Sequence, residues 1–102
     1  MFRTVARRFC ARAPIVARDL RHYGLSGQHQ RLARLAASLK PTLGLYDMTA
    51  ADAAERVEHG AATPRPELAR DVLALEDEVW RVAEAWGHVD QARTAAPVEV
   101  AS

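Results

Sequence analysis

Between Leu68 and Val89 the chain sets apolar side chains at 68, 72, 75, 79, 82, 86 and 89, with no Gly or Pro before Gly87. The spacings of 4, 3, 4, 3, 4 and 3 bring all seven onto one stripe of an α-helix, whereas a strand would scatter them over both faces. In heptad terms Val72, Val79 and Trp86 take a positions, and Leu68, Leu75, Val82 and Val89 take d positions. A helix this long with one apolar stripe must be covered by other helices or by a partner. No alternating Val, Ile, Thr or aromatic segment bounded by turn residues suggests a strand, and Ala, Leu and Arg are good helix formers. The expected fold is all-α.

The flanks of the stripe say what can cover it. The e and g positions are Ala69, Glu76, Ala83, Asp90, Asp71, Glu78, Ala85 and Ala92, which are small or acidic and never basic. A parallel homodimer would set acid against acid. The stripe is therefore expected to pack on the preceding helices and on a more basic partner. Trp86 lies on the seam and reads as core. Trp80, six residues earlier and about 240° away on a helical projection, lies beside Leu73 on the flank. Leu73, Asp77, Trp80 and Glu84 are the candidate partner-binding residues, with Trp80 as anchor.

Two shorter helices are expected before it. Leu32, Leu35, Ala36 and Leu39 give a helix over residues 25–39, with Pro41 as its stop and 41–46 as an apolar connection. Thr49-Ala50-Ala51-Asp52 resembles a capping box, and Met48 with Ala53 a weak staple. Gly60 closes the resulting helix at residues 50–59. Thr63-Pro64 reads as the cap of the long helix, and residues 94–102 as an extended tail.

Residues 1–23 differ in kind. They hold six arginines, Arg3, Arg7, Arg8, Arg12, Arg18 and Arg21, against Asp19 alone. On a helix, Phe2, Val5, Phe9, Ala13, Val16 and Leu20 share one face, and Pro14 would interrupt it. An Arg-rich, acid-poor amphipathic N-terminus is the mark of a mitochondrial presequence. Arg21-His22-Tyr23-Gly24 resembles a cleavage pattern that would leave Gly24 first. A retained basic helix that binds membrane or nucleic acid, or an arm docked on a partner, are the other readings. Removing six arginines and one aspartate from totals of 14 basic and 13 acidic residues leaves 8 and 12, a net charge of −4 on residues 24–102. Such a body is a poor ligand for phosphate backbones.

Little in the chain points to chemistry. Cys10, the one cysteine, lies in the arginine-rich segment, so residues 24–102 have no sulfur nucleophile or ligand. His29, His59 and His88 fall on three separate elements, and Glu84 with His88 reads as a solvated pair. Ser26 and Ser38 have no catalytic motif around them, and Glu76-Asp77-Glu78, being consecutive, radiate around a helix as a solvated or partner-facing acidic turn. No catalytic, cofactor or metal site is expected, and no segment is long and apolar enough to span a membrane. The expectation is a non-catalytic accessory subunit of a mitochondrial assembly, in the matrix or on the matrix face of the inner membrane. Its body would be a small all-α domain over residues 24–93. Respiratory-chain or ATP synthase complexes are the leading hosts. A peripheral mitochondrial ribosome protein and a soluble assembly factor are the alternatives.

Overall fold

The computed structural model describes residues 2–63 and 65–101, with side chains over 3–63 and 65–87. It holds four helices: α1 (Phe2–Leu25), α2 (His29–Tyr46), α3 (Met48–Ala62) and α4 (Leu68–Ala101). Each is antiparallel to the next, and α4 returns beside α1. Phe9 meets Trp86 at one end of that pair, and Arg21 meets Glu76 towards the other. The helices form a ring in which α1 and α3 lie across the diagonal and do not touch. The molecule extends 54 × 23 × 18 Å, its length set by α4, whose 34 residues span about 50 Å.

The core follows the apolar stripes. Leu68, Val72, Leu75, Val79, Val82 and Trp86 of α4 are all buried, facing Leu32, Ala36, Leu39 and Leu43 of α2 and Ala50, Ala54 and Val57 of α3. The side chain of Val89, the last of the stripe, lies outside the described residues. The fourth wall is α1. Ala6, Phe9, Ala13, Val16, Ala17 and Leu20 are buried, Leu20 completely. The apolar face of the arginine-rich segment is thus part of the core, and its six arginines stay exposed.

Several boundaries differ from the sequence expectations, and burial explains most of them. Proline interrupts neither of the first two helices: α1 passes through Pro14 and α2 through Pro41. Proline costs a hydrogen bond and a clash in a helix interior, about 3 kcal/mol. Around Pro41 the buried Leu39 and Leu43, and around Pro14 the buried Ala13, Val16 and Ala17, supply packing that outweighs it. Residues 41–46 are therefore the last turns of α2, not a connection. That helix begins at His29, after a turn in which Gly27 takes a positive φ of 70°.

The cap of α3 is Asp47 rather than Thr49. Its carboxylate accepts from the Ala50 N–H at 2.8 Å. Met48 is 69% exposed and staples nothing. Gly60 lies inside α3, where a Cβ would come within 3.1 Å of Leu68 Cδ1, so the glycine serves close approach to α4 rather than termination. Thr63 closes α3, its N–H bonding to His59 O, and does not cap α4; Pro64 lies outside the described residues. The backbone of α4 runs on to Ala101, so residues 94–101 are helical and not an extended tail.

Asp47 also reaches α4. Arg81 Nη2 lies 3.0 Å from its carboxylate, bonds to Glu78, and sets its guanidinium 5.3 Å above the Tyr46 ring. The Ala50 N–H first, and then Arg81, hold the Asp47 carboxyl below its ordinary pKa. A depressed folded-state pKa gives stability that is present above the unfolded pKa and lost as pH falls through the folded one. Asp47→Asn should therefore lose less melting temperature than the parent between about pH 5 and about pH 2, as read by circular dichroism melts across that range.

A second expectation concerns α1. Each large side chain that it buries is worth about 1.5–3 kcal/mol, and Phe9, Val16 and Leu20 together rival the 5–15 kcal/mol stability typical of a small domain. Isolated residues 24–102 should lack a cooperative thermal transition that the full chain shows.

Candidate functional site

The outer seam between α1 and α4 combines exposed apolar side chains with an ion pair whose carboxylate is buried and whose guanidinium is largely exposed. On α4 the residues 73, 77, 80 and 84 repeat at 4, 3 and 4 and so run along one outward stripe. Leu73 is 53% and Trp80 45% exposed. Asp77 and Glu84 are also exposed. All four candidate partner-binding residues thus share one flank of the helix. The core side of the same helix hides Trp86, stacked edge-on to Phe9 at 5.4 Å and to Tyr46 at 5.9 Å. The two tryptophans differ because the helical projection points one inward and the other along the seam.

Trp80 borders a groove of about 450 Å³ whose other wall is Pro14, Ala17, Arg18, Arg21, His22 and Leu25 of α1. Leu25 is 84% exposed at the end of that helix. The sequence pattern did not single out this wall, because Pro14 reads as a helix breaker and Leu25 as the start of the next helix.

Across the seam, Arg21 donates from Nη2 to Glu76 Oε1 at 2.8 Å and from Nε to Oε2 at 3.3 Å. Glu76 is buried, at 9% exposure. The expected acidic turn Glu76-Asp77-Glu78 is thus divided. Glu76 is drawn to α1 and Glu78 to Arg81, and Asp77 keeps its outward position. The basic partner that the acidic flank of α4 calls for is, at Glu76, α1 of the same chain. The signal was present in the sequence as an acid at an e position with no basic residue on its own helix to answer it. Its distance of 55 residues from Arg21 hid the pairing.

The residues of the cleavage pattern lie in the last turn of α1. Arg21 is engaged with Glu76, Tyr23 is half-buried against the core, and a Cβ on Gly24 would come 3.4 Å from Val72 Cγ1. Cys10, three turns earlier on α1 and half-buried, donates its thiol to the Ala83 carbonyl at 3.3 Å.

Catalytic or metal-binding geometry is a separate question. Among the described residues no group of three His, Cys, Asp or Glu side chains is placed to hold a metal ion. His88 and its pairing with Glu84 lie outside the described side chains. The depression near the α3–α4 turn interleaves Glu55, Glu67 and Asp71 with Arg56 and Arg65, so its charges are mixed rather than convergent. Among the described residues no helix is long and apolar enough to cross a membrane.

The Arg21–Glu76 pair is two-toothed, but its arginine side chain is 60% exposed, which screens it. Arg21→Ala should cost about 1–2 kcal/mol, less than the 3–5 kcal/mol seen on breaking fully buried pairs. Glu76→Gln should cost less, because its amide still accepts a hydrogen bond. A double-mutant cycle by urea denaturation measures the coupling, and additive single effects would show that the pair contributes nothing. No family model matches this chain, and no curated protein or solved structure shows significant similarity to it.

Proposed function

We propose that this chain is a non-catalytic accessory subunit that holds a neighbouring protein against the outer flank of α4. Trp80 carries the reading. The helix buries six apolar side chains in its own core, yet leaves this indole 45% exposed beside Leu73 and above the groove against α1. A large exposed aromatic next to an exposed Leu is a patch that an isolated soluble chain gains nothing by presenting, and Trp is the residue type most enriched where binding energy concentrates. Asp77 and Glu84 bracket it along the same stripe, and their charge favours a partner with basic residues at the rim.

For location, the six arginines against one acid in residues 1–23 support delivery to mitochondria. The host is then an inner-membrane or matrix assembly, with respiratory-chain and ATP synthase complexes foremost. Import threads an unfolded chain, and the burial of Phe9, Val16 and Leu20 favours keeping α1 afterwards as a wall of the folded subunit.

The test is Trp80→Ala in the full chain. Incorporation into the assembly should fall by about tenfold or more, the loss expected of a hot-spot residue. Helical content and melting temperature should change little, because the side chain is half in solvent. Native co-fractionation reads the outcome. Migration with a respiratory complex supports the proposal. Sedimentation with ribosomal subunits or a free low-mass pool points to the other hosts, and loss of the fold in the variant would place Trp80 in the core.

A further inference from the structure

Charge is divided along this chain as sharply as hydrophobicity is divided around each helix. Residues 2–46, covering α1 and α2, carry nine basic side chains and one acid, whereas residues 47–101 carry five and twelve. Because α1 and α2 are neighbours in the ring, a division in sequence becomes two faces in space. Where the basic helices border the acidic ones, their charges are matched: Arg21 with Glu76, and Lys40 with Glu55 and Glu58.

Away from that border, Arg8, Arg12, Arg31 and Arg34 are all exposed. None of the four makes an ion pair with a described residue. On α1, Arg8, Arg12 and Ile15 follow one another at helical spacing, and on α2, Arg34 and Leu45 share an outer stripe. Asp19, the one acid on these helices, lies 3.6 Å from Arg18. Between α1 and α2 runs a groove of about 240 Å³, floored by Val5, Phe9, Val16, Leu35 and Leu39 and rimmed by Arg8 and Arg12. Ile15 is 49% exposed and Leu45 57% exposed.

We propose that this α1–α2 face rests on an anionic lipid surface. The arginines meet headgroup phosphates, and Ile15 and Leu45 enter the boundary between headgroups and acyl chains. A nucleic acid would draw the same arginines. It offers nothing to Ile15, Leu45 or the apolar groove floor, however. Among the described aromatic rings of α1 and α2, Phe9 is buried and Tyr23 and Tyr46 are half-buried against the core, so none is a fully exposed platform for a base. The acidic side of the molecule is repelled by such a surface and turns outward, leaving the Trp80 flank accessible to a protein neighbour. The inference rests on α1 being retained, so it is tested on the full chain.

The experiment is co-sedimentation with vesicles of phosphatidylcholine alone and of phosphatidylcholine with phosphatidylglycerol, at low and at physiological salt. Binding is expected only to the anionic vesicles, weakening with salt as screening demands. Arg8→Gln with Arg12→Gln should weaken it by roughly tenfold or more, and Arg31→Gln with Arg34→Gln comparably. Ile15→Ser should weaken it at both salt concentrations. All five side chains are exposed, so far-UV circular dichroism should be unchanged. Trp80→Ala, on another flank, should bind vesicles as the parent does, which separates failure here from failure of the α4 docking site. Equal binding to both vesicle types, no binding, or tighter binding to a single-stranded RNA oligonucleotide at the same salt would overturn the proposal.

Discussion

Without α1, the stripe formed by Val72, Leu75, Val79, Val82 and Trp86 would face water along one side of α4, since α2 and α3 reach it from the other. Much of the remaining structure depends on how α1 closes that side. Its small residues Ala6, Ala13 and Ala17 allow close approach, while Phe9, Val16 and Leu20 fill the space between helices. The thiol of Cys10 and the guanidinium of Arg21 then satisfy polar groups of α4 along the same edge. A chain of 102 residues has little core to spare, and here a quarter of its length would be lost with that helix.

The ion pairs reinforce the apolar packing at its borders. Arg21–Glu76 joins α1 to α4, Lys40 joins α2 to Glu55 and Glu58 of α3, and Arg81 joins α4 to the α2–α3 corner through Asp47. Individually such partly exposed pairs contribute little. Their arrangement does orient the helices, because the basic α1 and the acidic α4 attract only when set side by side. The same opposition leaves the unmatched charge on outward faces, basic on α1 and α2 and acidic on α3 and α4. Two exposed surfaces of different chemistry result, the arginine face of α1–α2 and the Trp80 flank of α4.

Much of this was legible in the order of residues. The six buried apolar positions of α4 within the described side chains follow from their 4-3 spacing, and so does the contrast between Trp86 in the core and Trp80 on the flank. The apolar face of α1 was equally readable, though not what would cover it. Prolines and glycines were misleading. Pro14, Pro41 and Gly60 are strong local signals for an ending, but each acts with only a few kcal/mol, and neighbours such as Leu39, Leu43 and Leu68 outweigh them. Asp47 was missed as a cap because Thr49 two residues on has the same chemistry. The choice between them depends on where α2 ends and where Arg81 lies.

Periodicity is a local property, so the sequence alone determined that this protein is helical, which side of each helix is apolar, and how charge is apportioned between its two halves. Tertiary structure decided which stripes cover one another. The arginine-rich segment, by itself an amphipathic helix open to several uses, folds onto α4, because a face of that length exposed to water costs more than the entropy of docking a helix already joined to the chain. Glu76 is buried for the same reason: its partner lies 55 residues away, a distance that only the closed ring of helices brings to 2.8 Å.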